Sequence, residues 1–427
     1  MTYSRKEYEN DESYVELLGS PRVFMHEINT LPNFSKILET VDEIEKYERA
    51  LAIARPEDII LTKVIPEKAY LDWLKSVGLG SQNLIVLDGK NDETLPERVL
   101  KNGTKAKVEQ LLGTNKTKAV FCPYIGGNLE NKASKYLNLK MYANTDLVTK
   151  YDSKINFKKL CREVGVPVVE EVILEGKEIN SYFKLKEKIK NILEFKNKTD
   201  TFIIKGEYGA SGSTTHIFYD FDLSTLKEFL KKCNKDERFI IEPLYKISSS
   251  PSSIWFITKD KVCKHIKTSN QLLSDGIIHS GNEFPVSFDE KMVASLTFKI
   301  AKRLAEEGYI GPFGVDYIET GNTFYAVECN PRVTGANYPW ELVNLLVQRH
   351  GPIKAARAQN IHLSRKGLTF KDLKELWSKV LYSGEKGLGV IIPFNVGPVS
   401  SGKVTILGTG SSKEEVEILF KYINSIA

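Results

Sequence analysis

The chain has no apolar run long enough to cross a bilayer, and its opening, MTYSRKEYEN, is too polar for a secretory signal, so a cytoplasmic location is expected. Its five cysteines form no CxxC pair and show no zinc spacing, which argues against a disulfide framework and a structural zinc site. Charge of one sign is scarce as well. Sixty basic against 55 acidic side chains give a net +5, too mild to argue for nucleic acid but compatible with small anionic substrates. No GxGxxG follows a predicted strand, so a dinucleotide site is not supported. What remains, at 427 residues with 41% hydrophobic and 27% charged, is an ordinary globular protein with material for two or three domains.

Residues 22–28, 58–64, 84–89 and 118–124 read as strands, with helical stretches over 35–51, 67–78 and 93–113 between them. Strands alternating with helices predict a parallel sheet covered on both faces. From about residue 144 the character changes to an amphipathic helix ended by Gly165, with Pro167 marking entry into a strand. Further on, a strand delivers Lys205 to a loop containing Gly206, Gly209, Ser211, Gly212, Ser213 and Thr214. Such glycines let backbone N–H groups approach a polyphosphate, hydroxyls add donors and the lysine adds charge; a ligand-free hairpin tip reads the same way. A helix over 289–308 follows from apolar recurrence at helical spacing. At the end, two strands over 387–395 and 402–408 and a helix opened by Ser412 and Glu415 suggest a small α+β unit.

The stretch between these parts, residues 311–339, is two apolar runs joined by a Gly-containing turn. Strand side chains alternate, so Glu328 and Asn330 share a face while Val327 and Cys329 point into packing. Asp316 joins them if it pairs opposite residue 328, which calls for a loop of three or five residues around 320–324. Three oxygen donors would then suit Mg²⁺, with Arg332 free to grip a phosphoryl oxygen. The alternative is an ordinary hairpin whose carboxylates are solvated.

VDYI, a turn, then YAVECNPR resembles the metal-binding end of the ATP-grasp ligases. That resemblance implies Asp316, Glu328 and Asn330 as ligands of Mg²⁺ (or Mn²⁺) on ATP, and Arg332 as the stabiliser of a phosphorylated intermediate. It further implies Lys154, Lys205, Gly209, Ser211, Gly212 and Ser213 as phosphate contacts, and Glu242 and Leu244 at the hinge that pairs with the adenine edge. Lys267 is a candidate second cation for the transferred phosphate. His279 is a candidate proton carrier and His216 a structural residue. The family's usual ribose-binding Glu is replaced by residues 249–253, SSPSS. The expected fold is α/β and α+β: a parallel pre-ATP-grasp domain over 1–144, an ATP-grasp core over 145–360 and a small C-terminal domain over 361–427. Both ends of the chain resemble the pheganomycin-type peptide ligases. The implied activity is ATP-dependent activation of a carboxylate and its joining to an amine of an amino acid or peptide. Small-molecule carboxylate and amine substrates are the expected partners, with no nucleic acid or membrane, and a homodimer among the assemblies open to it. Rival readings are a biotin-type carboxylase, a ligase with a carrier-protein thiol as acceptor, and a nucleotide-binding regulator without catalysis.

Overall fold

The computed structural model describes residues 13–30, 47–101, 103–143, 145–178, 201–209, 214–219, 236–274 and 276–427, with isolated positions 183, 187, 224, 228 and 229. The predicted alternation at the start folds as a five-stranded parallel sheet of β1 (Arg22–Met25), β2 (Ile59–Thr62), β3 (Asn83–Val86), β4 (Val120–Pro123) and β5 (Lys140–Met141), in the order β3-β2-β1-β4-β5. Its central strands are buried throughout, as expected of a sheet with both faces covered.

A second, antiparallel sheet is built from β6 (Val172–Glu175), β7 (Phe202–Gly206), β8 (Thr215–Phe218) and β9 (Arg238–Pro243), in the order β6-β9-β7-β8. The third and largest contains β10 (Pro251–Ile257), β11 (Cys263–Ser274), β12 (Ile278–Phe284), β13 (Gly311–Thr320), β14 (Thr323–Asn330), β15 (Ala355–His362), β16 (Val390–Asn395) and β17 (Lys403–Gly410). Its order is β14-β13-β10-β11-β12-β15-β17-β16, antiparallel throughout. The helix Glu290–Glu306 is capped by Asp289, whose side chain accepts from the Met292 amide, and it buries Val293, Leu296, Ile300 and Leu304 at helical spacing.

The separate C-terminal unit expected over 361–427 is not set apart by its sheet. The expected boundary falls inside β15, which pairs with β12 on one side and β17 on the other, so the last strands extend the sheet that carries the hairpin. The N-terminal block docks on this extension. Tyr70 Oη donates to the Pro393 carbonyl and Trp73 Nε1 to the Tyr382 carbonyl, each at 3.1 Å, and Arg55 pairs with Glu341 at 2.7 Å. One cleft is thereby walled by both ends of the chain. Among the described residues, no helix is long and apolar enough to cross a membrane.

Gly281 on β12 lets β15 approach: a Cβ there would stand 2.1 Å from the Ala358 carbonyl oxygen. Gly281→Ala is therefore expected to lower stability by about 1–3 kcal/mol, the usual cost of overpacking, read as a lower denaturant midpoint. An unchanged midpoint would mean that the two strands are less tightly joined than described.

Candidate functional site

The hairpin β13–β14 is closed by Gly321 and Asn322, both with positive φ (+55° and +62°), in a two-residue turn that pairs Thr320 with Thr323. This differs from the expected loop of three or five residues. Continued unchanged, that register would set Val327 against Asp316 and turn Glu328 to the opposite face. A bulge prevents it: Tyr317 pairs with Ala326, Val327 has no partner, and Asp316 pairs with Glu328. The predicted convergence is therefore present, reached by a different route. Cys329 is in the core at 3% exposure, but Val327, expected to pack inward beside it, lines the cleft.

Asn330 Nδ2 donates to Asp316 Oδ2 at 2.9 Å. Asp316 Oδ1 is buried and makes no hydrogen bond of ordinary geometry, although Ser252 and Gln271 stand close enough to favour its ionised form. Burial, and then the charge on Glu328, pushes the Asp316 carboxyl up. Burial acts the same way on Glu328, but Lys154, with its Nζ 3.2 Å away, followed by Arg332 and Lys205, outweighs it and holds that carboxyl below the usual range. Among the described residues no three His, Cys, Asp or Glu side chains are grouped to hold a metal. Two carboxylates and an amide are instead the donor set that fits Mg²⁺, whose other positions go to water and phosphates, and the unpartnered Asp316 oxygen fits such an ion.

Lys154 opens the helix Lys154–Glu163 and is buried at 6% exposure, where a lone helical lysine would ordinarily be solvated. Its Nζ is also 3.2 Å from the Gly209 carbonyl. Glu207 fixes this junction: it accepts from Ser153 Oγ at 2.5 Å, pairs with Arg238 at 2.5 Å, and its carbonyl accepts the Lys154 amide at 3.1 Å. Gly209 has φ +154° and packs so closely on Thr214 that a Cβ would lie 2.2 Å from its hydroxyl. Ser211, Gly212 and Ser213 lie outside the described residues.

Lys205 is 2.7 Å from Glu242, whose other oxygen pairs with the fully buried Lys158. Burial raises the Glu242 carboxyl, but the two lysines overcome it and bring its pKa to about 2. Glu242 thus works through its side chain, a role the hinge resemblance did not suggest. The Leu244 amide donates to the Thr201 carbonyl at 3.3 Å, so this N–H is already engaged rather than presented to an adenine edge. Lys267 is not brought to the cleft. Its ammonium pairs with Glu290 at 3.1 Å and lies 5.2 Å from the centre of the Trp340 ring. Arg332 does line the cleft, buried, with its guanidinium 5.6 Å from the Tyr124 ring and its Nε unpartnered. His279 lines the cleft too, 2.9 Å from Asn282 Oδ1, while His216 packs edge-on against Phe229.

Lys158 and Glu207 were missed by sequence reasoning. Lys158 had a signal: it falls between Phe157 and Cys161 on the buried face of its helix, where a cation needs a carboxylate. Lys154, Lys205, Glu242, Asp316, Glu328, Asn330 and Arg332 line a cleft of about 740 Å³. Val169, Ile203, Ile217, Leu244 and Ile318 give it apolar walls, and Arg49 and Tyr124 bring the N-terminal block to it.

Residues 158–336 match the sequence profile of the ATP-grasp domain. No curated protein matches the chain. Among solved structures, the chain is similar to N5-carboxyaminoimidazole synthetase from Staphylococcus aureus complexed with ADP, at TM-score 0.55 and 12% identity over 98% of this chain and all (100%) of that one. It is also similar to the biotin carboxylase β-γ-ATP complex from Campylobacter jejuni (TM-score 0.60, 12% identity, 95% and 91% of the two chains). A third likeness is to carboxyaminoimidazole ribonucleotide synthase from Aspergillus clavatus complexed with ATP (TM-score 0.54, 14% identity, 89% and 100%). The chain has the ATP-grasp fold. Residues 158–336 carry its match to the ATP-grasp domain family.

The buried Lys158–Glu242–Lys205 group makes a pH prediction. Glu242 has a folded pKa of about 2, below the usual unfolded value of about 4.3. Its ionised form therefore contributes stability that is complete above about pH 4.5 and is lost as pH falls toward about 2. Lys158→Met leaves Glu242 with one cation, so stability at neutral pH should fall by about 3 kcal/mol or more and the loss across this acid window should shrink. Urea titrations at pH 7 and pH 3 read both effects; equal stability of the two proteins at pH 7 would contradict the pairing.

Proposed function

We propose that the protein is an ATP-dependent ligase that activates a substrate carboxylate as an acyl phosphate and joins it to an amine of an amino acid or peptide, releasing ADP and phosphate. What carries the reading is the convergence of Lys154, Lys205, Arg332 and the Asp316–Asn330–Glu328 set on one cleft. In an ATP-grasp fold with both carboxylates and the buried arginine present, catalysis accounts for the residues better than a purely regulatory nucleotide site does.

The apolar walls around Val169, Ile203 and Ile217 receive the adenine, and Lys154 and Lys205 meet the phosphates. Asp316, Glu328 and Asn330 hold Mg²⁺, which when bound supplies positive charge at the phosphate oxygens. A carboxylate oxygen of the substrate attacks the γ-phosphorus as the bond to the ADP oxygen breaks. Arg332, with an unpartnered Nε in a buried setting, stabilises the charge on the transferred group. The amine then attacks the acyl carbon, phosphate leaves, and a proton is released as the amide forms. Lys267, tied to Glu290, has no part in these steps.

The solved structures of similar fold include enzymes named for carboxylation, which raises bicarbonate as the acid. Gln359, Asn360, His362 and Lys403 also line the cleft, and they offer polar contacts to a second substrate under either reading. Phosphate release measured with amino acids in pairs, against bicarbonate alone, separates the two, and product mass identifies the bond formed. Glu328→Gln is expected to lower substrate-dependent ADP release by about 100-fold or more, in line with loss of one preorganised electrostatic group. Turnover retained in that variant, or stimulation by bicarbonate alone, would count against the proposal.

A further inference from the structure

Arg49 is a cation of the cleft that the proposed reaction does not use. It lies in the helix Tyr47–Ile53 of the N-terminal block and lines the cleft with Arg332 and Tyr124. Its guanidinium is 5.8 Å from the centre of the Tyr338 ring, and its Nε is buried with no hydrogen-bond partner. Tyr338 Oη is itself fixed by a 2.8 Å hydrogen bond with His26 Nδ1.

Three other sheltered arginines have carboxylates, Arg98 is met by the Leu87 and Lys90 carbonyls, and Arg332 shares with Arg49 the lack of a carboxylate partner among the described residues. Arg22 has Asp58 at 2.9 Å, Arg55 has Glu341 at 2.7 Å, and Arg357 has Glu417 at 2.8 Å. Arg49 pairs with no carboxylate among the described residues. Burial weakens its hold on the proton, and the phenols of Tyr338 and Tyr124 oppose this. The acids that line the cleft are engaged elsewhere: Glu242 with Lys158 and Lys205, Glu328 with Lys154, and Asp316 with Asn330. A sheltered guanidinium that no carboxylate among the described residues meets is unfavourable, and a bound anion relieves it. The planar fork of the group matches a carboxylate bidentately.

We infer that Arg49 receives a second carboxylate of the substrates, distinct from the one activated beside Arg332. This rests on the ligase reading and narrows its substrate class: either the acid is a dicarboxylate, or the amine partner has a free carboxylate of its own. The Tyr338 ring, fixed by His26, lies beside the guanidinium, and Arg49 lines the cleft.

Titration calorimetry on the full chain saturated with Mg²⁺ and ADP tests it with two probe pairs. Glutarate against valerate reports a second carboxylate on the acid, and glycine against glycinamide reports one on the amine. In at least one pair the carboxylate-bearing member is expected to bind about tenfold tighter or more, as for a hydrogen bond to a charged group. Arg49→Gln should abolish that preference and Arg49→Lys should keep part of it, with ADP affinity of each variant reporting an intact fold. No preference in either pair, or a preference that survives Arg49→Gln, overturns the inference. Failure of the ligase reading is seen separately, as absence of ADP release in the unaltered protein with every acid and amine supplied.

Discussion

A single unpaired residue, Val327, decides which way the working end of the hairpin faces. The Gly321–Asn322 turn fixes a register in which Glu328 would lie on the opposite face from Asp316, and the bulge shifts the pairing by one so that both carboxylates and Asn330 meet. A one-residue slip in a strand inverts every side chain beyond it. Bringing two carboxylates together in a buried place raises the cost of ionising them, visible in the raised Asp316 and in the dependence of Glu328 on Lys154. The rest of the cleft follows from that cost: cations from three parts of the chain are brought to it.

Two of these cations, Lys154 and Lys205, come already paired with acids of the protein. Lys154 reaches Glu328 across the cleft, and Lys205 shares Glu242 with the buried Lys158. Such pairs give little net stability but define position, since each partner is costly to leave alone. The lysines expected to meet phosphate are thereby held at the right place before a nucleotide arrives. Preorganisation of this kind is what electrostatic catalysis requires.

Much of the frame was legible in the sequence because it is local. The parallel sheet follows from strand and helix alternation, and the parity of Glu328 and Asn330 follows from strand geometry. What was not legible depends on distant partners. Arg49, Lys158 and Glu207 look like surface charges until the cleft, Glu242 and Arg238 are set beside them. The strand Ala355–His362, AARAQNIH, has few of the β-branched and aromatic residues that announce a strand, so the link that joins the C-terminal strands to the large sheet was missed and that end seemed a separate unit. Lys154 was singled out through family resemblance and Lys205 through the glycine loop that follows its strand, while Lys267, a candidate second cation, is placed on Glu290 instead. The loop holding Ser211, Gly212 and Ser213 falls outside the described residues.

The central claim is that the three oxygen-bearing side chains of this hairpin share one cation against a nucleotide. The most direct measurement is the anomalous signal of Mn²⁺ in crystals grown with a non-hydrolysable ATP analogue. The account predicts a manganese peak about 2.0–2.3 Å from carboxylate oxygens of both Asp316 and Glu328, in contact with the analogue's phosphates. A peak elsewhere, or phosphates bound away from these carboxylates, would contradict it.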